Sequence, residues 1–212
     1  MELVDALRTH RLVAIVRGTD PSSALDSVRT LAREGVTLVE VSLTSTDALD
    51  VLAGARAALG PDAPLGAGTV LSADDARAAH RAGADFVVTP AVCEGITAAR
   101  QLGLPVLAGA MTPSEVVEAV RLGAEAVKLF PASDAGGPAY LRALLGPFPE
   151  VPFVPVGGVD TAAARTYLAC GAVAVGVGSP LIGDAADGGS SDALRLRARA
   201  FLETVATKGD DQ

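Results

Sequence analysis

Tryptophan is absent from this chain of 212 residues, and aromatic residues make up only 3% of it. Half of the residues are apolar all the same, so the core must be built from alanine, valine and leucine. Histidine and cysteine number two each. Cys93 and Cys170 have neither metal nor redox spacing, and they fit free thiols in a reducing cytosol. No His/Asp/Glu/Cys cluster has metal-ligand spacing, and neither a dinucleotide fingerprint nor a Walker A motif is present. The chain is therefore expected to need no metal and no cofactor. Positive charge is also scarce. A formal net charge of −8 argues against a nucleic acid or an anionic membrane as partner, although a site can still be locally positive. No run of 18 apolar residues occurs that could span a bilayer. The acidic start, Met1-Glu2-Leu3-Val4-Asp5, lacks the basic region of a signal peptide. These absences together point to a cytoplasmic protein.

Lysine is as rare as histidine, and one of the two lies where a charge is unexpected. Lys208 falls in the polar C-terminal tail, whereas Lys128 sits inside the apolar run Ala126-Val127-Lys128-Leu129-Phe130-Pro131. The other 15 basic residues are arginines. Arginine stays protonated at any reachable pH, but a desolvated lysine can lose its proton and attack a carbonyl. A lysine stem snorkelling outward from a strand end is the alternative.

Short apolar runs rich in valine, alanine and leucine alternate with helical patterns from end to end. Strands are expected at residues 12–17, 38–43, 65–70, 86–91, 105–110, 126–131, 153–158 and 174–179. Helical patterns such as 21–35, 72–83, 113–123 and 161–171 lie between them. Gly35, Gly83, Gly103, Gly123 and Gly171 fall where a helix ends. Ser45-Thr46-Asp47, Ser72-Ala73-Asp74-Asp75 and Asp160-Thr161 read as helix starts. Eight strand–helix units predict an α/β fold, a (β/α)8 TIM barrel, in one domain over residues 1–212. A flavodoxin-like open sheet would leave about three units unused. Residues 1–10 read as an extra N-terminal helix closing the bottom of the barrel. The stretch 183–191, rich in Gly, Asp and Ser, reads as the loop before the last helix.

Reactive groups of such barrels stand at the C-terminal ends of the strands. Side chains two apart share a face, so Glu40 points into the barrel together with Ser42. By the same count Lys128 points inward with Ala126 and Phe130, and Arg17 follows Ile15. Thr69 follows Ala67, and Thr89 follows Val87. A carboxylate, a lysine and an arginine thus converge on one cavity, and such groups at strand ends mark a site more often than a structural ion pair. The chemistry that uses this set is carbonyl activation. Lys128 would attack a 2-oxo acid, Glu40 would shuttle protons, and Arg17 would hold a carboxylate in its fork. Gly157-Gly158 ends the seventh strand and Gly176-Val177-Gly178-Ser179 the eighth. Loops at these two places form the usual phosphate site of a barrel.

The ordered set Ile15-Val16-Arg17-Gly18, Val39-Glu40-Val41, Gly66-Ala67-Gly68-Thr69-Val70, Val88-Thr89-Pro90, Val127-Lys128-Leu129-Phe130-Pro131, Gly146-Pro147-Phe148-Pro149, Val156-Gly157-Gly158-Val159 and Val175-Gly176-Val177-Gly178-Ser179 resembles the 2-keto-3-deoxy-6-phosphogluconate aldolase family. That family also covers 4-hydroxy-2-oxoglutarate aldolases. The resemblance runs from Leu12 to about Ile182. It implies a class I aldolase that cleaves a phosphorylated 2-keto-3-deoxy sugar acid to pyruvate and glyceraldehyde 3-phosphate. By motif, Lys128 would be the Schiff-base lysine and Glu40 the general acid/base. Thr69, Pro90 and Phe130 would line the pyruvyl pocket, and Gly157, Gly158, Gly178 and Ser179 would hold the phosphate. The resemblance also implies a homotrimer. Two positions depart from gluconate-type members: Thr44 stands where many carry arginine, and Val156 where many carry threonine. Val156, with Thr89 before Pro90, is more like the 6-phosphogalactonate branch. A sugar-phosphate epimerase or isomerase barrel, or a barrel that only binds a phosphorylated ligand, would account for the glycine loops without a covalent lysine.

Overall fold

A computed structural model describes residues 2–206; Met1 and the tail 207–212, Lys208 included, lie outside them. Eight strands run in parallel: β1 Leu12–Val16, β2 Leu38–Ser42, β3 Leu65–Gly68, β4 Phe86–Val88, β5 Val106–Ala110, β6 Ala126–Leu129, β7 Phe153–Pro155 and β8 Val175–Val177. Their order is β7-β6-β5-β4-β3-β2-β1-β8. A parallel bridge between Val156 and Gly176, with Val173 N–H donating to Phe153 O at 3.0 Å, closes the ring. The helices are α1 Leu3–His10, α2 Pro21–Arg33, α3 Ala48–Leu59, α4 Ala73–Arg81, α5 Glu94–Gln101, α6 Pro113–Arg121, α7 Gly137–Leu145, α8 Thr161–Ala169, α9 Ser179–Ile182 and α10 Ser191–Ala206. The (β/α)8 barrel and its extra N-terminal helix are thus as expected.

Alternation divides the apolar residues into two cores, one on each side of the strands. Between strands and helices lie Val16, Val41, Leu65, Val127, Leu129 and their neighbours. Inside the ring lie Val13, Leu38, Phe86, Leu107, Ala126 and Val154. Leu3 and Leu7 of α1 join this inner group, each fully buried. The helix therefore plugs the N-terminal mouth, and the opposite mouth stays open.

Boundaries and caps hold most of the differences from expectation. The strands run three to five residues rather than six: all but β5 stop short of the expected end, where the chain turns away to build the open end, while β5 lacks only its first residue, Pro105, and β8 also lacks Ala174. All five glycines expected at helix ends have φ between +78° and +104°, the left-handed range that stops a helix. Ser72 and Asp75 form a capping box, and the Asp160 side chain accepts from Ala163 N–H at 2.8 Å. Asp47 does not cap α3: it has φ +48° and makes no side-chain cap bond. The nearby hydroxyl of Ser45 accepts from Gly18 N–H at 3.2 Å instead. The 183–191 loop contains a 3-10 turn, Ala185–Asp187.

Leu7 tests the plug. Leu7→Ala removes a fully buried side chain and should cost about 2–5 kcal/mol. Urea unfolding should show a lower midpoint with an unchanged slope.

Candidate active site

The open end of the barrel holds a cavity of about 570 Å³. Nine of the ten residues singled out from sequence line it: Arg17, Thr69, Pro90, Lys128, Phe130, Gly157, Gly158, Gly178 and Ser179. Glu40 lies deeper, only 1% exposed.

Space for Glu40 comes from glycine. A Cβ built on Gly68 would strike the Glu40 carboxylate, one on Gly109 would strike the Pro90 backbone, and one on Gly176 would come within 2.6 Å of Val156 Cγ2. At these positions glycine lets Glu40, Pro90 and Val156 pack directly against the neighbouring strand backbone.

Lys128 is 6% exposed, on the face opposite Val127 and Leu129. Its ammonium lies 5.3 Å from the centroid of the Phe130 ring, within cation–π range. Burial pushes the Glu40 carboxyl above its ordinary value, and the charges of Lys128 and Arg17 act the other way. A carboxyl so placed can hold a proton where an exposed one would have lost it, as a general acid requires.

Thr69 reaches the cavity by a route that alternation does not predict. Ala67 and Leu65, on its nominal face, belong to the outer core. Thr69 has φ +61°, rare for a β-branched residue, and this turn swings its side chain over the strand end. There Ser42 Oγ lies 2.9 Å from Thr69 Oγ1 and 2.8 Å from Thr44 Oγ1, and it accepts from Arg17 Nε at 3.4 Å. Ser42 is thus the hub of a polar cluster. Its position on the Glu40 face was the only sequence signal for that role. Thr89 stays out of the cavity lining. Its hydroxyl donates to Ala91 O at 2.8 Å and accepts from Gly109 N–H at 3.2 Å, bracing Pro90 between β4 and β5.

The loop after β6 holds the loop after β7. Ala132 N–H donates to Val156 O (2.8 Å), Ser133 N–H to Gly157 O (3.2 Å) and Ser133 Oγ to Gly158 O (3.0 Å). In trans peptides the N–H lies opposite the C=O. The amides of Gly157, Gly158 and Val159 are therefore turned away from the β6 loop, and all three residues line the cavity. The β8 end adds Gly178, Ser179, Pro180, Ile182 and Gly183 to the wall.

Asp187 of the 3-10 turn also lines the cavity, and sequence reasoning missed it. Its Oδ1 accepts from Thr19 N–H at 2.6 Å and Thr19 Oγ1 at 2.8 Å, joining segments 168 residues apart. Those hydrogen bonds hold its carboxyl below the ordinary value.

Fold and cavity define the class: a TIM barrel with an enzyme site at the C-terminal ends of its strands. Comparison with known proteins narrows it. The family described as "Aldolase: KDPG and KHG aldolase" matches residues 3–193. The "KHG/KDPG aldolase" of Escherichia coli K12 is 34% identical over 199 residues, 93% of each chain. The "2-dehydro-3-deoxy-6-phosphogalactonate aldolase" of the same organism is 34% identical over 194 residues, 91% of this chain and 93% of that one. A solved KDPG aldolase from Legionella pneumophila, "with pyruvate captured at low pH as a covalent carbinolamine intermediate", superposes with a TM-score of 0.86 at 27% identity. It covers 93% of this chain and 97% of that one. The chain belongs to the KDPG and KHG aldolase family.

The Glu40 shift has a consequence for stability. A folded value raised above the ordinary 4.5 means that the folded state favours the protonated acid. The stabilisation is full below the unfolded value and is lost as pH rises through the folded one. Glu40→Gln cannot lose it. The melting temperature of Glu40→Gln minus that of the parent should therefore increase from acidic to neutral pH; a flat or falling difference would remove the inferred shift.

Proposed function

We propose that this cavity performs class I aldol cleavage of a 2-dehydro-3-deoxy-6-phospho sugar acid to pyruvate and D-glyceraldehyde 3-phosphate, with 4-hydroxy-2-oxoglutarate as a further substrate. The observation that carries the reading is the pairing of a buried lysine at the cavity surface with a buried glutamate beneath it. Neutral Lys128 attacks the C2 carbonyl carbon through Nζ. The carbonyl oxygen takes up a proton to give a carbinolamine, which loses water to form a protonated Schiff base. The C4 hydroxyl then gives up its proton as the C3–C4 bond breaks, and the electron pair moves into the iminium to leave an enamine. A proton returns to C3, and water hydrolyses the new Schiff base to free pyruvate and Lys128. Glu40 is the group that carries these protons.

The remaining assignments follow the walls. Arg17, resting on Ser42 through Nε, offers its terminal nitrogens to the substrate carboxylate. Thr69, Pro90 and Phe130 surround the pyruvyl part. Gly157, Gly158, Gly178 and Ser179 receive the phosphate on backbone amides, as barrel phosphate sites do. Val156 lines the cavity with a methyl where a threonine would offer a hydroxyl, which supports the galactonate epimer as the better substrate.

The whole chain is taken as one catalytic unit. It acts as a homotrimer: Leu71, Met111, Val117 and Val120 are 41–56% exposed, which supports burial of this apolar surface between copies. Among the described residues no helix is long and apolar enough to cross a membrane, and both cysteines are free. These features support a place in the cytoplasm.

Borohydride reduction in the presence of pyruvate should add the mass of a reduced pyruvyl adduct to Lys128. A protein that stays unmodified, or is modified only at Lys208, would sink the Schiff-base mechanism. Lys128→Arg should keep the fold by circular dichroism and lose about 10³-fold or more in kcat; appreciable turnover would contradict the role of Lys128.

Pyruvate release measured side by side should give a higher kcat/KM for the phosphogalactonate substrate than for its gluconate epimer. The reverse ranking would separate Val156 from the stereochemical choice.

A further inference from the structure

The wall of the cavity beyond β8 is the short helix α9 and Gly183. Four residues of helix cannot hold themselves together in water, so their shape must come from outside. Leu181 and Ile182 are buried at 0% and 2% exposure and anchor one side. The other anchor is Arg197, which reaches across from α10. Its Nε donates to Leu181 O and its Nη2 to Ile182 O, both at 2.7 Å. These are two of the carbonyls that the end of a helix leaves without partners. A Cβ on Gly183 would lie 2.6 Å from Arg197 Nη2, so the guanidinium stands directly behind a residue of the cavity wall. Among the described residues Arg197 has no carboxylate within ion-pair distance, whereas Arg29, Arg56, Arg77, Arg100, Arg121, Arg195 and Arg199 each have at least one.

We propose that Arg197 is a positioning residue for the phosphate end of the cavity. It fixes the Gly178–Gly183 turn through two carbonyls and sets an unneutralised positive charge behind it, in a protein whose net charge is −8. It does not touch the substrate. Its fork is rigid and matched to two adjacent acceptors, so lysine cannot replace it fully. The inference rests on the reading above that this wall receives the phosphate.

The test uses the full-length enzyme in its native assembly, with Arg197→Met and Arg197→Lys. KM for the preferred phosphorylated substrate should rise about tenfold in Arg197→Met, the scale of a charge at a part-buried helix end, and less in Arg197→Lys. Borohydride trapping of pyruvate at Lys128, which needs no phosphate, should change less than about twofold. Inorganic phosphate should inhibit turnover of the parent at lower concentration than that of either variant. A fall in trapping as large as the rise in KM would mark Arg197 as merely structural and overturn the inference, as would an unchanged KM in both variants. Should Arg197→Met fail to fold, the KM and phosphate inhibition of Arg197→Lys decide. A parent enzyme that is indifferent to phosphate, neither inhibited by the ion nor favouring the phosphorylated substrate over 4-hydroxy-2-oxoglutarate, overturns the phosphate reading itself.

Discussion

The open end of the barrel depends on inner strand positions that carry no side chain. The inner face holds Val13, Leu38, Phe86, Leu107 and Val154, and glycine at 66, 68, 109 and 176. The Glu40 carboxylate occupies space that a Cβ at Gly68 would fill. Close-packed interiors leave few such gaps, and an enclosed gap lined by apolar groups costs stability. Here the gap is continuous with the cavity, and polar side chains fill its floor. Glycine therefore turns a barrel interior that would otherwise be a packed core into a container for ionisable groups.

That container sets the electrostatics. Removing a carboxylate and an ammonium from water costs several kcal/mol per ion, and their attraction repays it only in good geometry. The structure lowers the cost in two ways. Glu40 is driven toward its neutral form by burial, and the Lys128 ammonium lies near the face of Phe130. Burial lets Glu40 keep a proton that an exposed carboxyl would lose, a condition for carrying protons through a multistep reaction.

The side chains that do this were legible because strand alternation has a fixed period. Lys128 and Glu40 lie mid-strand, flanked by valines and leucines that must face the helices, so their direction followed from counting. The count fails where the strand ends. Thr69 would have gone outward by alternation, and a left-handed φ brings it in beside Ser42. The loop carbonyl pattern around Gly157 and Gly158 was invisible as well, because it depends on Ser133, 24 residues away along the chain in a loop with no periodicity. Asp187 and Arg197 have even less local signal. Their contacts join distant segments, and nothing in their neighbours distinguishes them from the surface charges of a last helix.

This division separates reaction from substrate. The groups proposed to break the carbon–carbon bond belong to the inner layer of the strands, where each side chain is held by the ladder on both sides. The groups that choose the substrate belong to strand ends and loops, which tolerate exchange. Thr44 and Val156 both lie in the second set. Thr44 bonds Ser42 and does not line the cavity, so a threonine there is compatible with the Arg17–Ser42–Thr69 cluster, and the proposed carboxylate contact falls to Arg17. Val156 faces the cavity yet also receives Ala132 N–H on its carbonyl. That bond is made by the backbone, and a threonine would preserve it. On the proposed mechanism, a change at either position would retune what is cleaved and leave Lys128 and Glu40 in place.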